Sequence, residues 1–209
     1  MKLFDNIKHC SDCRTVKRCK NFNQRPPLWT KIPKKCRIML VSQAPSRDAS
    51  EEHILADKRN RTYMQLLKML CISDDEFKPY IYWTHYAKCY PGPAKGGDQI
   101  PTIYCANKYL RDEYDLCEPK FVLGVGRCAS IYLYSNYVDT KTPKIRIKFE
   151  RIKNTPRLLN GVTFVFITHP APTAKKTEAD KKFIKEALPG LIKKTIETNE
   201  YATVARYLE

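Results

Sequence analysis

Four short apolar runs that alternate with helical patterns constrain the fold of this chain more than any other feature. The runs with strand character are 37–42, 80–86, 121–125 and 162–168. The stretches with helical character are 62–70, 102–114, 127–134 and 178–198. Strands that alternate with helices indicate a largely parallel sheet covered on both faces. We therefore predict an α/β fold, a three-layer α/β/α sandwich whose central sheet has four mainly parallel strands.

The chain length favours a single domain. Its 209 residues are enough for a sizeable core. Residues 1–36 are rich in Lys, Arg, Asn and Pro and show little periodicity, and residues 136–160 are polar and basic, which indicates an excursion or a hairpin. We predict one domain over residues 1–209, in which residues 1–36 form a loop-rich leader held by cysteines or by a metal.

Polar residues gather where the predicted strands end. Gln43 and Pro45 follow the first strand, His85 ends the second, Arg127 follows the third and His169 follows the fourth. Ligands of parallel sheets bind at the carboxyl ends of the strands, which meet at one edge. Each residue by itself is better explained as an ordinary cap or turn. The four strand ends together predict a binding site at this edge.

The charge of the chain favours a polyanionic partner. Lys and Arg number 38 and Asp and Glu number 22, so the formal net charge is +16. A field of this size attracts phosphates, which favours nucleic-acid binding over a merely solvated surface. No apolar run reaches the length of about 18 residues that a membrane span needs. We expect a nucleic-acid partner and no membrane contact.

The cysteines indicate metal binding in a reducing compartment. Nine cysteines, an odd number, do not suit a complete disulfide framework, and the first ten residues lack the apolar stretch of a secretory signal. Cys10 and Cys13 form a CxxC pair, and Cys89 lies in a loop. Four other cysteines lie in or beside apolar stretches and are expected to be small core side chains: Cys36, Cys71, Cys117 and Cys128. The role of Cys19, near the CxxC pair, stays open.

Four segments resemble motifs of one known family. Leu40–Ser46 resembles the G-E-A-P-G motif of the family-four branch of the uracil-DNA glycosylase superfamily, and Thr84–Cys89 resembles its T-N-V-V-K-C motif. Leu123–Arg127 is similar to its A-L-G-R motif, and Thr168–Ala171 is similar to its H-P-[SA] motif. Each motif is short, but the four occur in the family's order and spacing over about residues 10–190.

The resemblance implies an iron–sulfur cluster. The family's cluster ligands are a CxxC pair, a cysteine after the second strand and another about fifteen residues later. The matching positions here are Cys10, Cys13, Cys89 and Cys105. Four thiolates suit a [4Fe–4S] cluster, and zinc is the alternative that the same ligands allow.

The resemblance also implies a catalytic histidine. Such enzymes extrude a nucleotide into a pocket, and donors then stabilise the departing base. His169 matches the residue that donates a hydrogen bond to the base, and a structural cap of the fourth strand is its alternative role. Gln43 stands where family four has Glu, and Ala44 aligns with the water-activating Asp of related branches. Asp48 is then the nearest carboxylate that can orient a water or balance the sugar cation.

The base pocket departs from the family pattern. Ala44 and Pro45 belong to the first base-contacting motif, but His85 replaces an Asn whose amide reads uracil. A neutral histidine also offers one donor and one acceptor, in a different geometry. Tyr63 is the best available residue to stack on the base, although it is displaced from the family's Phe. The remaining contacts implied are with DNA phosphates, from Arg127, Lys175 and Lys176.

We therefore predict a DNA glycosylase of base-excision repair. It would flip and excise uracil or a modified pyrimidine, for example in foreign or phage DNA, and leave an abasic site. One alternative is a catalytically inactive iron–sulfur relative that recognises DNA without cutting it, and another is a zinc-bound nucleic-acid adaptor. We expect a monomer that works on DNA in the cytoplasm, associated with the nucleoid.

Overall fold

The computed structural model describes residues 2–10, 30–46, 60–95, 97–170 and 174–198. In chain order the described strands are β1 (Ile38–Ser42), β2 (Ile81–His85), β3 (Pro93–Ala94), β4 (Gly97–Asp98), β5 (Phe121–Val125), β6 (Arg157–Leu159) and β7 (Val162–Ile167). The central sheet has the order β2-β1-β5-β7-β6, and β3 pairs with β4 in a separate hairpin. All pairs in the central sheet are parallel except β6 with β7. The predicted α/β fold with a mainly parallel sheet is confirmed.

The prediction of four strands in the central sheet is wrong, because β6 adds a fifth. All three residues of β6 are exposed, so the strand lacks the apolar pattern that marks the other four. An Asn160–Gly161 turn joins it to β7, and both residues have positive φ angles, 49° and 76°. An Asn-Gly pair favours this kind of tight hairpin turn. The pair was therefore a local sequence signal for the hairpin.

Helices cover both faces of the sheet. In chain order the described α-helices are α1 (Lys2–Lys8), α2 (Arg61–Leu70), α3 (Asp74–Tyr80), α4 (Arg111–Cys117), α5 (Arg127–Leu133), α6 (Phe149–Ile152), α7 (Glu178–Lys182) and α8 (Leu188–Glu197). Three π-helical segments continue or join them: Ala106–Leu110, Tyr134–Val138 and Phe183–Ala187. A short 3-10 turn covers Lys144–Arg146. The helix that we expected to begin at Thr102 begins two residues later, at Tyr104.

The three-layer arrangement is visible in the side chains of β1. Ile38 and Leu40 join a core cluster with side chains of α2, α3 and α8. Met39 and Val41 join a second cluster with side chains of α4, α5 and α6. Successive residues of a strand face opposite sides of the sheet, so a strand covered on both faces is apolar throughout. This explains why β1 reads as an unbroken apolar run.

The leader is better ordered at its start than the composition indicates. Residues 2–8 form α1, and Ile7 on this helix is fully buried. The leader that we expected to be loop-rich therefore contains a short helix at residues 2–8. Among the described helices, none is long and apolar enough to cross a membrane.

Candidate functional site

A pocket lies at the carboxyl ends of the strands, at the edge where the sequence predicts a site. Its volume is about 120 Å³. Its lining residues are Ser42, Ala44, Pro45, Ser46, Asn60, Thr62, Trp83, His85, Asp98 and His169. Of the strand-end residues that we expected at one site, Pro45, His85 and His169 line this pocket, whereas Gln43 and Arg127 do not.

Strand pairing sets the position of the first two motifs. Ser42 pairs with His85 at the ends of β1 and β2. The pairing continues past both strands, because the Tyr86 amide donates to the Ser42 carbonyl at 2.7 Å and the Ala87 amide donates to the Gln43 carbonyl at 3.0 Å. The backbone of the first motif is therefore fixed against the segment that follows His85.

Gly126, which follows β5, requires glycine because of its backbone conformation and lies beside two predicted site residues. Its φ angle is 85°, which L side chains rarely adopt. A Cβ atom at this position would lie 3.8 Å from Gln43 Oε1 and 3.9 Å from His169 Cβ. Gln43 does not line the pocket that the described residues form, and its side chain lies beside Gly126 instead. The contact of Gln43 with the base stays a prediction.

His85 is a neutral imidazole on the pocket wall. The residue is buried, with 6% of its surface exposed, and its ring lies 5.6 Å from the Trp83 ring. Burial, with a smaller contribution from the charge of Lys88, lowers the pKa of His85 to about 3. At neutral pH the ring therefore presents one N–H donor and one acceptor nitrogen.

His169 is also neutral. Burial, and after it the charge of Lys176, lowers the pKa of His169 below its ordinary value. The side chain follows β7 and lines the pocket. A neutral imidazole donates one hydrogen bond, which is the property that the predicted catalytic role requires.

A buried ion pair is hydrogen-bonded to the last two residues of β2. Lys88 and Glu113 are each 1% exposed, and Lys88 Nζ lies 2.6 Å from Glu113 Oε2. Lys88 Nζ also donates to the His85 carbonyl at 2.9 Å and to Thr84 Oγ1 at 2.7 Å. The second Glu113 oxygen accepts from Tyr82 and Thr84. The sequence does not indicate this network, because Glu113 lies 25 to 31 residues from its three partners.

Asp98 is a pocket residue that sequence analysis missed. It ends the β3–β4 hairpin, and the Tyr90 hydroxyl donates to its Oδ1 atom at 2.9 Å. The Gln99 amide donates to the Gly92 carbonyl at 2.8 Å and closes the base of this hairpin. Asp48, the carboxylate that the sequence favours, lies outside the described residues. Asp98 is the carboxylate among the described residues that line the pocket.

The prediction that Tyr63 stacks on a base does not fit this structure. Its ring is fully buried, 6.4 Å from the Trp83 ring and 5.0 Å from the Phe77 ring, and its hydroxyl donates to Asp74. Tyr63 lies on the apolar face of α2, and this face packs against the sheet. The residue therefore supports Trp83 from the core, and Trp83 lines the pocket.

The three residues that we predicted to contact DNA phosphates are exposed or half-buried. Arg127 and Lys175 are exposed, and Lys176 is half-buried with its Nζ atom 3.2 Å from the Pro170 carbonyl. Lys176 also lines a groove of about 390 Å³ that adjoins Pro170. The other residues of this basic groove are Gln65, Lys68, Met69, Cys71, Lys181, Ile184 and Lys185. Four lysines line this groove, Lys68, Lys176, Lys181 and Lys185, and Pro170, which follows His169, lines it as well.

Three of the four cysteines that we predicted to bind the iron–sulfur cluster lie in one small group of packed core residues. Cys89 and Cys105 are buried, and Cys10 packs against the same group together with Ile7 and Tyr109. Cys13 lies outside the described residues. Within the described part of the chain, no group of three or more His, Cys, Asp or Glu side chains is arranged to hold a metal ion. The donor set of soft sulfur atoms suits iron–sulfur and zinc alike.

The remaining described cysteines divide into two kinds. Cys36, Cys117 and Cys128 belong to or pack against the core cluster between the sheet and α4–α6, as expected. Cys71 is exposed, so the expectation that it is a core side chain is wrong. It ends α2 with a φ angle of 52°, a left-handed cap at the helix end.

The family model for the uracil DNA glycosylase superfamily matches residues 30–192. The chain belongs to the uracil DNA glycosylase superfamily. The superfamily prediction is confirmed, and membership supports a DNA glycosylase-type function with DNA as the partner. No curated protein is significantly similar to the chain.

The superfamily match covers the whole pocket but not the whole leader. Every lining residue, from Ser42 to His169, falls within residues 30–192. Cys10 and Cys13 precede the matched span. Assignment to the family-four iron–sulfur branch therefore stays a prediction.

Proposed function

We propose that this superfamily member is a DNA glycosylase that flips and excises a pyrimidine, either uracil or a modified pyrimidine, by hydrolysing the N-glycosidic bond. An abasic site would be the product. The observation that carries the proposal is the strand-end pocket, in which two neutral histidines and a carboxylate line one small cavity. The basic groove beside it supports DNA as the substrate.

The base would be read by His85. A flipped base presents its Watson–Crick edge to the pocket, and a pyrimidine edge carries both donors and acceptors. Neutral His85 offers one of each, while Pro45 and Trp83 supply apolar surface. The ring places these groups differently from the amide of Asn. This difference supports a modified pyrimidine as a substrate alongside uracil.

Bond cleavage would depend on His169. As the glycosidic bond lengthens, negative charge develops on the base and positive charge on the sugar. A donor already fixed at the base oxygen stabilises that charge without reorganisation. His169 is neutral, buried in part and held at the end of β7, which supports this role.

Asp98 would act on the sugar side. A carboxylate in the pocket balances the sugar cation and orients the attacking water. The hydrogen bond from Tyr90 holds one carboxylate oxygen, so the side chain is positioned before DNA binds. We assign this role to Asp98 because it lines the pocket. Asp48 stays a second candidate.

Replacement of Asp98 by Asn should lower the single-turnover excision rate about 10²-fold, the scale of a lost acid–base group. Tyr90→Phe should have a smaller effect in the same direction, since it removes only the hydrogen bond that positions the carboxylate. Asp112→Asn, an exposed change on α4, is the matched control. An Asp98→Asn rate equal to that of the control would rule out this role.

The activity itself is tested with a panel of DNA substrates. The panel contains uracil, hydroxymethylated pyrimidines and glycosylated pyrimidines, each in single and double strands, and abasic sites are detected by alkaline cleavage. Release of at least one base supports the proposal. If the purified protein with its metal content intact releases none, the proposed activity fails.

The alternative function is DNA recognition without cleavage. The replacement of the family's Asn by His85 favours it, because an inactive relative can lose the uracil-reading amide. Tight, salt-sensitive binding without base release in the same panel would support it. Measurable turnover would exclude it.

We also propose a structural [4Fe–4S] cluster held by Cys10, Cys13, Cys89 and Cys105. The packing of three of these residues in one core cluster supports it. When bound, the group would tie the leader and the Cys89 loop to the domain. Zinc is the alternative, and the visible absorption of the purified protein separates the two, because zinc–thiolate sites are colourless.

Cys89→Ser should remove most of the bound iron and destabilise the fold, since it takes away one buried ligand. Cys71→Ser should leave the iron content unchanged, because Cys71 is exposed on α2. Iron per chain and thermal unfolding are measured for both. Equal iron loss in the two variants would show that the ligand assignment is wrong.

The remaining proposals concern organisation. We propose a monomer whose residues 1–209 form one domain, with residues 1–36 tied to the cluster. Because the proposed substrate is DNA, the expected location is the cytoplasm, at the nucleoid. Light scattering of the purified protein, with and without DNA, checks the monomer.

A further inference from the structure

Two cysteines outside the pocket and outside the proposed cluster lie in direct contact. Cys36 precedes β1, Cys117 ends α4, and their Sγ atoms are 2.9 Å apart. The two residues are 81 positions apart in the sequence. No disulfide joins the described cysteines, so the contact is between two thiols. Tertiary structure alone brings this pair together.

The two thiols have different surroundings. Cys36 is half-buried, whereas Cys117 is 5% exposed. The hydrogen bond from Cys117 holds the pKa of the Cys36 thiol below its ordinary value, and the same hydrogen bond together with burial raises the pKa of Cys117. The thiolate is the nucleophilic form of cysteine. Cys36 is therefore the thiol that reacts first, and Cys117 is the thiol placed to react with it.

We propose that Cys36 and Cys117 form an oxidation site that reacts with hydrogen peroxide and closes to a disulfide. The Cys36 thiolate attacks one peroxide oxygen, the O–O bond breaks, and the leaving hydroxide takes a proton to become water. Cys36 is then a sulfenic acid. The Cys117 sulfur attacks the Cys36 sulfur, the S–O bond breaks, and a second water leaves. The two thiols lose two electrons, and the peroxide gains them.

The bridge would join the start of β1 to the end of α4. Because β1 is a central strand and α4 packs on one face of the sheet, the bridge would link two layers of the sandwich. A cross-link between residues so far apart in sequence restricts the unfolded chain strongly. Oxidation should therefore stabilise the domain. This site does not depend on base excision.

The test treats the full-length protein with hydrogen peroxide, blocks the remaining thiols, and maps the non-reduced peptides by mass spectrometry. We expect a peptide pair linked through Cys36 and Cys117 and a rise in Tm of roughly 5–15 °C that dithiothreitol reverses. Cys117→Ser should give no linked pair, and Cys36 should then be trapped as a sulfenic acid by dimedone.

Two further variants separate this site from oxidation elsewhere. Cys36→Ser should show no rise in Tm under the same peroxide dose, although any other oxidation of the protein is unchanged. Cys71→Ser, which removes an exposed thiol on α2, should form the linked pair as the unmodified protein does. If Cys36 and Cys117 remain thiols while Cys71 is oxidised, or if the linked pair forms without a rise in Tm, the proposal is overturned.

Discussion

His169→Ala should lower the single-turnover rate of base excision about 10²–10³-fold, which corresponds to the loss of about 2.7–4 kcal/mol of transition-state stabilisation. The expected loss is large because the imidazole is fixed at the pocket wall and is held neutral by burial. A hydrogen-bond donor that already points at the base oxygen before the reaction stabilises mainly the transition state. The affinity for DNA should therefore change much less than the rate.

The measurement uses a substrate that the unmodified protein cleaves. His169→Gln, which keeps an N–H donor on a more flexible side chain, should recover part of the lost rate. Glu178→Gln, an exposed change on α7, is the control that should match the unmodified protein. A rate for His169→Ala within twofold of the control, with Tm unchanged, would show that His169 is the structural cap of β7.

Lys88→Met should destabilise the fold by about 3–5 kcal/mol, because it leaves the Glu113 carboxylate buried without its charged partner. Both side chains are 1% exposed, so water does not replace the lost contact. For a chain of this length the change corresponds to a fall in Tm of roughly 6–20 °C. Thermal unfolding followed by circular dichroism measures it.

Two variants identify the charge as the cause. Arg111→Met breaks an exposed pair with Asp115, whose side chains are 73% and 58% exposed, and should cost less than about 1 kcal/mol. The double variant Lys88→Met/Glu113→Gln removes both buried charges and should recover much of the lost stability. A double variant as unstable as Lys88→Met would attribute the loss to packing.

The strands and their functional ends could be predicted because their signals are local. The run at 37–42 became β1, and the run at 162–168 became β7 with little change of boundary. A strand buried on both faces needs apolar residues at every position, so it is visible in the sequence. Once the sheet is parallel, the carboxyl ends of its strands meet, and His85 and His169 then line one pocket.

Other parts of the site could not be predicted because they depend on contacts between distant segments. Tyr63 is an aromatic residue of the kind that can stack on a base. It lies on the apolar face of α2, however, and this face is buried against the sheet. In the sequence, Asp98 resembles an ordinary turn residue in a loop. Only the packing of the β3–β4 hairpin beside the first motif makes it part of the pocket.

The sequence by itself determined the α/β class, the edge of the sheet that carries the site, and the motifs that place the chain in its superfamily, because these follow from short-range patterns along the chain. The tertiary structure alone decided that Lys88 meets Glu113, that Cys36 meets Cys117, and that Asp98 joins the histidines. Each of these pairings depends on how helices and loops pack across the sheet. A contact made by packing leaves no periodic pattern in either of the segments that form it.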